Sequence, residues 1–323
     1  MEAPSTQESP INTPSQSTVN PSFYKGSRRV VIALGLFAVT ILAVAGFWFF
    51  PQCWSAYTLP QELKGALLLS SKGSETTAYV PQTFCYKKMP YRGGNTSAFT
   101  RQERNIVLTV RKEDQEYILE ENGVERIRET LPIATPSLEP SSGRIIYAQA
   151  VKPEMELETK LSPQTSTVDP SHYEVRVYFP SSGKTERIIS GYAPLFLDDT
   201  NFLFFVGSGV YRYNLTSGTA EKVLDQTFSS VFGPVLQSPD RTLVLIKDPL
   251  KRMTSVYRVT ETGLTLVTQI PRLLISPTLS NDALYEVEGG KQEGHVWKYT
   301  FDTTEPQLIH TFPSTLSIIR VVF

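Results

Sequence analysis

The residues equipped for chemistry are few. Histidine occurs three times, at 172, 295 and 310, and cysteine twice, at 53 and 85. Two thiols are too few for a four-cysteine zinc site or a disulfide-framed mini-domain. No His-Glu-x-x-His pattern and no Gly-x-Ser-x-Gly elbow occurs in the chain, which removes the commonest zinc-hydrolase and serine-hydrolase signatures. Ser181-Ser182-Gly183-Lys184-Thr185 imitates the end of a phosphate-binding loop. A genuine loop has a glycine where Tyr178 stands and a helix afterwards, so that backbone N–H groups face the phosphate. Glu186-Arg187-Ile188-Ile189 follows instead, and it reads as a strand. Charge nearly cancels, with 31 Lys+Arg against 32 Asp+Glu, so there is no basic excess to neutralise a phosphate backbone and nucleic acid is not an expected partner. Nothing here calls for a cofactor or a metal.

The elements that position these residues begin with a tail. Residues 1–28 are rich in Ser, Thr, Pro, Gln and Asn, too poor in apolar surface to offset ordering entropy, and they read as a disordered tail. Val30 to Phe50 is a run of 21 uncharged residues, about 31 Å as a helix, which matches the hydrocarbon thickness of a bilayer. Residues 29–51 are therefore predicted to be a transmembrane helix. Trp48 and Trp54 mark its far end, where amphipathic aromatics favour the headgroup level. Lys25, Arg28 and Arg29 precede the run and the first basic residue after it is Lys64. The positive-inside rule then places the tail in the cytoplasm and residues 52–323 outside. The competing reading is a cleaved signal peptide, since Ala43-Val44-Ala45 resembles a cleavage site; the apolar continuation through Phe50 favours a retained anchor. In that topology Cys53 and Cys85 lie on the oxidising side and form either a disulfide or two free thiols.

After a linker at 52–62, residues 63–323 repeat. Short apolar strands start at 66, 105, 144, 201, 242 and 282, at intervals of 39, 39, 57, 41 and 40 residues. Leads containing a proline and a polar turn precede the later strands, as in Pro136 to Gly143, Pro194 to Asp199, Pro234 to Asp240 and Pro277 to Asp282; proline opening a strand followed by turn residues suits a strand–turn–strand unit. Downstream, Tyr178 to Ile189 matches Tyr213 to Leu224 position by position, a second hairpin with Gly183 and Gly218 at the turn. Four strands in about 40 residues make one propeller blade. Six such units give an all-β fold, a six-bladed β-propeller. The first unit lacks its leading strand, and Ile318 to Phe323 is left over at the other end. Pairing the two would close the ring and remove two open sheet edges.

The leads, especially Pro136 to Tyr147 and Pro234 to Leu245, resemble the Pro-x-aromatic-Ser-Pro-Asp-Gly pattern of the TolB-like, WD-like family of extracytoplasmic propellers. The likeness covers about 190 residues from 98 onward. No copy is complete: Glu139 and Gln237 replace expected residues, and Arg241 follows Asp240 where the family has glycine. The resemblance implies a propeller outside the cytoplasm whose commonest role is to bind a protein or ligand.

The one long interval holds Val151 to His172, with Glu154, Glu156 and Glu158 alternating with Met155 and Leu157. It joins the second and third strands of blade three, on the face that also carries the links between blades. Loops longer than their repeat equivalents are disproportionately functional. Lys251 and Arg252 occupy the equivalent loop of blade five. Glu154, Glu156, Glu158, His172, Lys251 and Arg252 are thus the candidate partner-binding residues, and no catalytic residue is assigned. The favoured function is a non-enzymatic binding scaffold, held in the cell membrane by one helix with lipid around it and an envelope or extracellular protein as partner. The alternatives are a carboxylate-based hydrolase or lyase and the non-catalytic subunit of an envelope peptidase.

Overall fold

The computed structural model describes residues 39–40, 54–72, 75–82, 85–89, 97–103, 106–139, 141–153, 169–207, 209–226, 235–249, 251–275, 277–289, 293–303 and 305–322. The expected tail and the expected membrane helix lie outside these residues, apart from Val39 and Thr40, which are helical. Among the described residues no helix is long and apolar enough to cross a membrane.

Residues 51–323 make one compact unit containing six four-stranded antiparallel sheets. Blade one holds β1 (Leu67–Lys72), β2 (Glu75–Pro81) and β3 (Tyr86–Met89); blade two holds β4 (Ser97–Glu103), β5 (Ile106–Glu113), β6 (Glu116–Glu121) and β7 (Val124–Glu129). Blade three is β8 (Ile133–Leu138), β9 (Ile145–Ala150), β10 (Tyr173–Phe179) and β11 (Lys184–Ser190). Blade four is β12 (Tyr192–Phe196), β13 (Asn201–Val206), β14 (Gly209–Asn214) and β15 (Thr219–Leu224). Blade five is β16 (Leu236–Gln237), β17 (Leu243–Asp248), β18 (Met253–Thr260) and β19 (Gly263–Ile270). Blade six is β20 (Thr278–Leu279), β21 (Ala283–Gly289), β22 (Glu293–Thr300) and β23 (Gln307–Pro313). The last strand, β24 (Ile318–Val322), pairs antiparallel with β1 and supplies the innermost strand of blade one. The chain is a six-bladed propeller closed by its own carboxyl end.

The second strand of each blade is sandwiched between neighbouring strands and neighbouring blades. That is why β9 and β17 are buried at all six positions and read as unbroken apolar runs rather than alternations. Outer strands such as β7 expose most of their residues. The apolar core is accordingly a set of slabs between blades. Ile146, Val175 and Val177 of blade three meet Phe196, Phe202 and Phe204 of blade four, and Leu243, Leu245 and Val256 of blade five meet Leu279, Leu284 and Tyr299 of blade six.

The polar leads staple the turns between first and second strands. Asp198 Oδ1 accepts from the backbone N–H of Thr200 and of Asn201, both at 2.7 Å. Asp240 accepts from the Ser238 hydroxyl at 2.6 Å and from the Thr242 N–H at 3.0 Å. Glu139 does the same work with the N–H groups of Ser141 and Ser142. Burial alone would raise the Glu139 carboxyl, but the hydrogen bonds from Ser142 and Ser141 prevail and bring it down to about 2. These turns also grip the next blade: the Asp240 N–H donates to Asn281 Oδ1 at 3.2 Å, and Arg144 donates to the Asp199 carbonyl. The residues that carry the family-like pattern are thus structural.

One detail differs from expectation. Pro136 and Pro194 fall inside inner strands rather than at strand starts. Each follows a residue at positive φ, Thr135 at 45° and Ala193 at 49°, and each sits at a bulge in the pairing with the second strand. An inner strand is a sheet edge facing the channel, so a proline there removes no ladder hydrogen bond.

The closure can be tested by side-chain truncation. Ile318 is 1% exposed in the core shared by blades six and one, so Ile318→Ala should cost about 2–5 kcal/mol in denaturant unfolding. Leu308→Ala, on the outer strand of blade six and 47% exposed, should change stability by less than about 0.5 kcal/mol.

Candidate functional site

The loops joining second to third strands share one end of the propeller with the links between blades. On blades five, six and one this end carries a cluster of charge. Lys247, near the end of β17, is buried and donates to the Ile275 carbonyl at 3.4 Å. Glu286 on β21 is buried too; it accepts from the Ile275 N–H at 2.9 Å and is ion-paired with Arg272. Thr254 on β18 donates to the Arg272 carbonyl and accepts from the Leu274 N–H, both at 3.0 Å. Four backbone groups of the blade five–six link are therefore held by side chains from three strands. Burial, with Arg320 of β24 adding to it, lowers the Lys247 ammonium to about 8, while Glu286 opposes the shift. On top of this fixed backbone the Ile275 side chain stands 57% exposed, beside the half-exposed guanidinium of Arg272.

A second network joins blades two and three. Glu129, at the end of β7, accepts from the Tyr147 hydroxyl at 3.1 Å and lies 3.7 Å from Arg176. Arg176 also donates to Gln149. Glu174 pairs with Arg187 at 2.8 Å. Burial raises the Tyr147 phenol, and the neighbouring Glu129 charge adds to it.

The third network lies at the seam where the ring closes. A short helix, 54–57, and a 3-10 turn, Gln61–Leu63, precede β1. Ser55 Oγ is 2.9 Å from the Tyr86 hydroxyl of blade one and 3.0 Å from His310 Nε2 of blade six. Glu62 accepts from the Tyr285 hydroxyl at 2.8 Å and pairs with Lys298, both on blade six. Leu59, Leu63 and Ala66 are buried with Tyr285, Phe312, Ile318 and Val321. The stretch expected as a linker at 52–62 thus contributes packed residues to the seam. Burial lowers the His310 imidazole to about 4.

The sequence candidates distribute as follows. His172 ends a 3-10 turn, its Nε2 3.9 Å from Asp169 and its carbonyl accepting from the Val151 N–H at 3.0 Å. Lys251 lies 3.5 Å from Asp248, and Arg252 takes a positive φ of 53° in the turn after β17. They occupy blades three and five, with blade four between them. Glu154, Glu156 and Glu158 lie outside the described residues. Cys85 is disulfide-bonded; Cys53, the other cysteine of the chain, lies outside the described residues. The phosphate-loop imitation is the β10–β11 turn, where Gly183 has φ 66° and donates to the Phe179 carbonyl at 2.9 Å. Among the described residues no group of three or more His, Cys, Asp or Glu is arranged to hold a metal ion. Sequence reasoning named His310 only as one of three histidines and did not find Lys247, Arg272, Glu286, Ser55 or Glu62.

No family model matches the chain, and no curated protein matches it in sequence. Solved structures do. TolB from Acinetobacter baumannii superposes with a TM-score of 0.53 at 13% identity, over 82% of this chain and 67% of that one. The chain shares its fold with TolB. A chain of a nidogen/laminin complex gives 0.49 at 9% identity, over 80% and 97% of the two chains. An oligogalacturonate lyase in complex with manganese gives 0.47 at 12% identity, over 81% and 76%. At such identities the TolB likeness speaks for architecture alone, and the two lower scores add nothing to it.

Two outcomes follow from the networks. Glu286→Gln keeps an acceptor for Ile275 but removes the charge facing Arg272; it should cost about 1–3 kcal/mol and speed hydrogen exchange at the Leu274 and Ile275 amides. His310 is harder to protonate folded than unfolded, so the unfolded chain binds the extra proton between pH 6.5 and about 4. Stability should therefore fall as pH drops through that window and rise as pH returns. Melting of His310→Gln, which cannot titrate, should show a flatter slope there than the unaltered protein.

Proposed function

We propose that this chain is a binding scaffold held at a membrane, its propeller outside the cytoplasm and a protein partner seated on the end that carries Ile275. One observation carries the reading. Lys247, Glu286 and Thr254 fix the backbone of the blade five–six link, and on that backbone stand the exposed Ile275 side chain and the half-exposed Arg272. A surface ordered beforehand loses little entropy on binding, which is what a recognition patch requires. An acid–base enzyme asks for something else, a carboxyl held above its usual range. Among the described residues, the carboxyls that shift all shift downward: Glu113, Glu125, Glu139, Asp169, Asp198, Asp240 and Asp302. The membrane placement rests on the uncharged run Val30–Phe50 and on the basic residues that precede it. Anchoring would raise encounter with other envelope proteins through effective concentration.

The reading includes a disulfide between Cys53 and Cys85. Ser55 and Tyr86 meet at 2.9 Å, which brings the neighbourhoods of the two cysteines together, and Cys85 is bonded. In an oxidising compartment this bridge closes a loop across the seam.

A photo-crosslinking residue at 275 in the full-length, membrane-embedded protein tests the partner. A discrete crosslinked protein, diminished by Arg272→Glu and by deletion of 153–170, is expected. Turnover of a peptide or glycan by the purified protein, with no crosslinked species, would replace the scaffold by an enzyme. For the bridge, Cys85→Ser should lower stability by about 3–4 kcal/mol, and the native, unreduced protein should react with no thiol reagent.

A further inference from the structure

The seam helix has two faces. Ser55 and Ala56 are buried, with Ser55 held between Tyr86 and His310. Trp54 and Tyr57, one turn apart, point the other way; they are 55% and 60% exposed, with ring centroids 5.9 Å apart. Tyr86 opens β3, an outer strand of sequence Tyr-Lys-Lys-Met, and both lysines, 87 and 88, are exposed. Lys64, just past the 3-10 turn, is exposed as well. The nearby acid, Glu62, is neutralised by Lys298. The 21-residue uncharged run ends four residues before Trp54. An exposed aromatic pair with exposed lysines nearby, for which no ion pair occurs among the described residues, has the composition of a surface that lies at a lipid–water boundary: rings enter the headgroup level and ammonium groups meet anionic headgroups.

We propose that this aromatic–basic strip, Trp54 and Tyr57 with Lys64, Lys87 and Lys88, docks the propeller's blade one–six seam directly on an anionic bilayer surface. The proposal rests on the membrane reading above and adds to it. The hydrogen bonds of Ser55 and Glu62 and the buried Leu59 and Leu63 fasten this stretch to blades one and six, so the strip is part of the propeller surface. In the docked state the seam faces the lipid.

The test is acetylation footprinting of the full-length protein in nanodiscs of neutral phosphatidylcholine and of the same lipid with phosphatidylserine. Lys184, the exposed first residue of β11 in blade three, is the internal standard. Lys87 and Lys88 should react about fivefold more slowly in the anionic discs, equivalent to the attraction one lysine feels near a charged leaflet, with Lys184 unchanged. High salt and the K87E/K88E variant should remove the protection at Lys64. Equal reactivity in both discs overturns the docking while leaving the anchor intact, provided the protein resists alkaline extraction. If alkali strips the protein, the anchor fails. The same footprint with phosphatidylserine vesicles added then decides the docking alone: protected lysines uphold it and unprotected ones overturn it.

Discussion

A propeller needs a full set of strands in every blade, and without β24 blade one would lack its inner strand. The pairing of β24 with β1 is the contact on which the remaining architecture depends. It joins Leu67 to Val322 and Leu68 to Val321, and Ile318 and Val321 carry its apolar face into the core of the seam. The closure is reinforced from within by the Thr278 hydroxyl, which donates to the Val321 carbonyl. From the amino-terminal side, residues 55–66 fill the same seam with Ser55, Leu59, Glu62, Leu63 and Ala66. Without pairing and packing at this place, the slabs of core between the other blades would have no geometric reason to meet.

The charged networks follow the same logic of joining blade to blade. A buried ion pair is weak evidence of stability, because desolvation consumes much of the Coulomb gain. Its cost is lowest when every lone pair and proton finds a partner. Glu286 illustrates this, with one oxygen on the Ile275 N–H and the other on Arg272. Such groups specify one arrangement of neighbouring blades more than they strengthen it. Glu129 likewise links blades two and three, through Tyr147 and Arg176, although the buried Nε of Arg176 has no hydrogen-bond partner among the described residues.

Much of the fold was legible because it is local and periodic. The apolar second strands stand out since both their faces are buried, and the spare strand at the end answers the missing strand at the start. The turn carboxylates were visible as a repeated pattern, although Glu139 and Asp240 proved to hold backbone rather than ligand. The candidate site was legible only in part. His172, Lys251 and Arg252 were singled out by loop position; they lie in the β9–β10 and β17–β18 connections, on separate blades. Lys247, Arg272 and Glu286 were missed because their partnership spans 14 residues in one case and, for Lys247 and Arg320, joins blades five and one. In sequence, Lys247 is simply a polar residue closing an apolar strand. The partnerships of Ser55, Glu62 and His310 escaped for the same reason: Ser55 and His310 are 255 residues apart, and no periodicity links them.

The closing strand also sets a clock. The residues of β1 leave the ribosome 248 to 255 positions ahead of their partners in β24. At ordinary rates of translation that is a delay of roughly 10–50 s. During it, blade one presents a bare hydrogen-bonding edge and the apolar flank made by Leu68 and Leu69. A nascent chain in that state invites strand capture by its neighbours until β24 arrives to cover the edge.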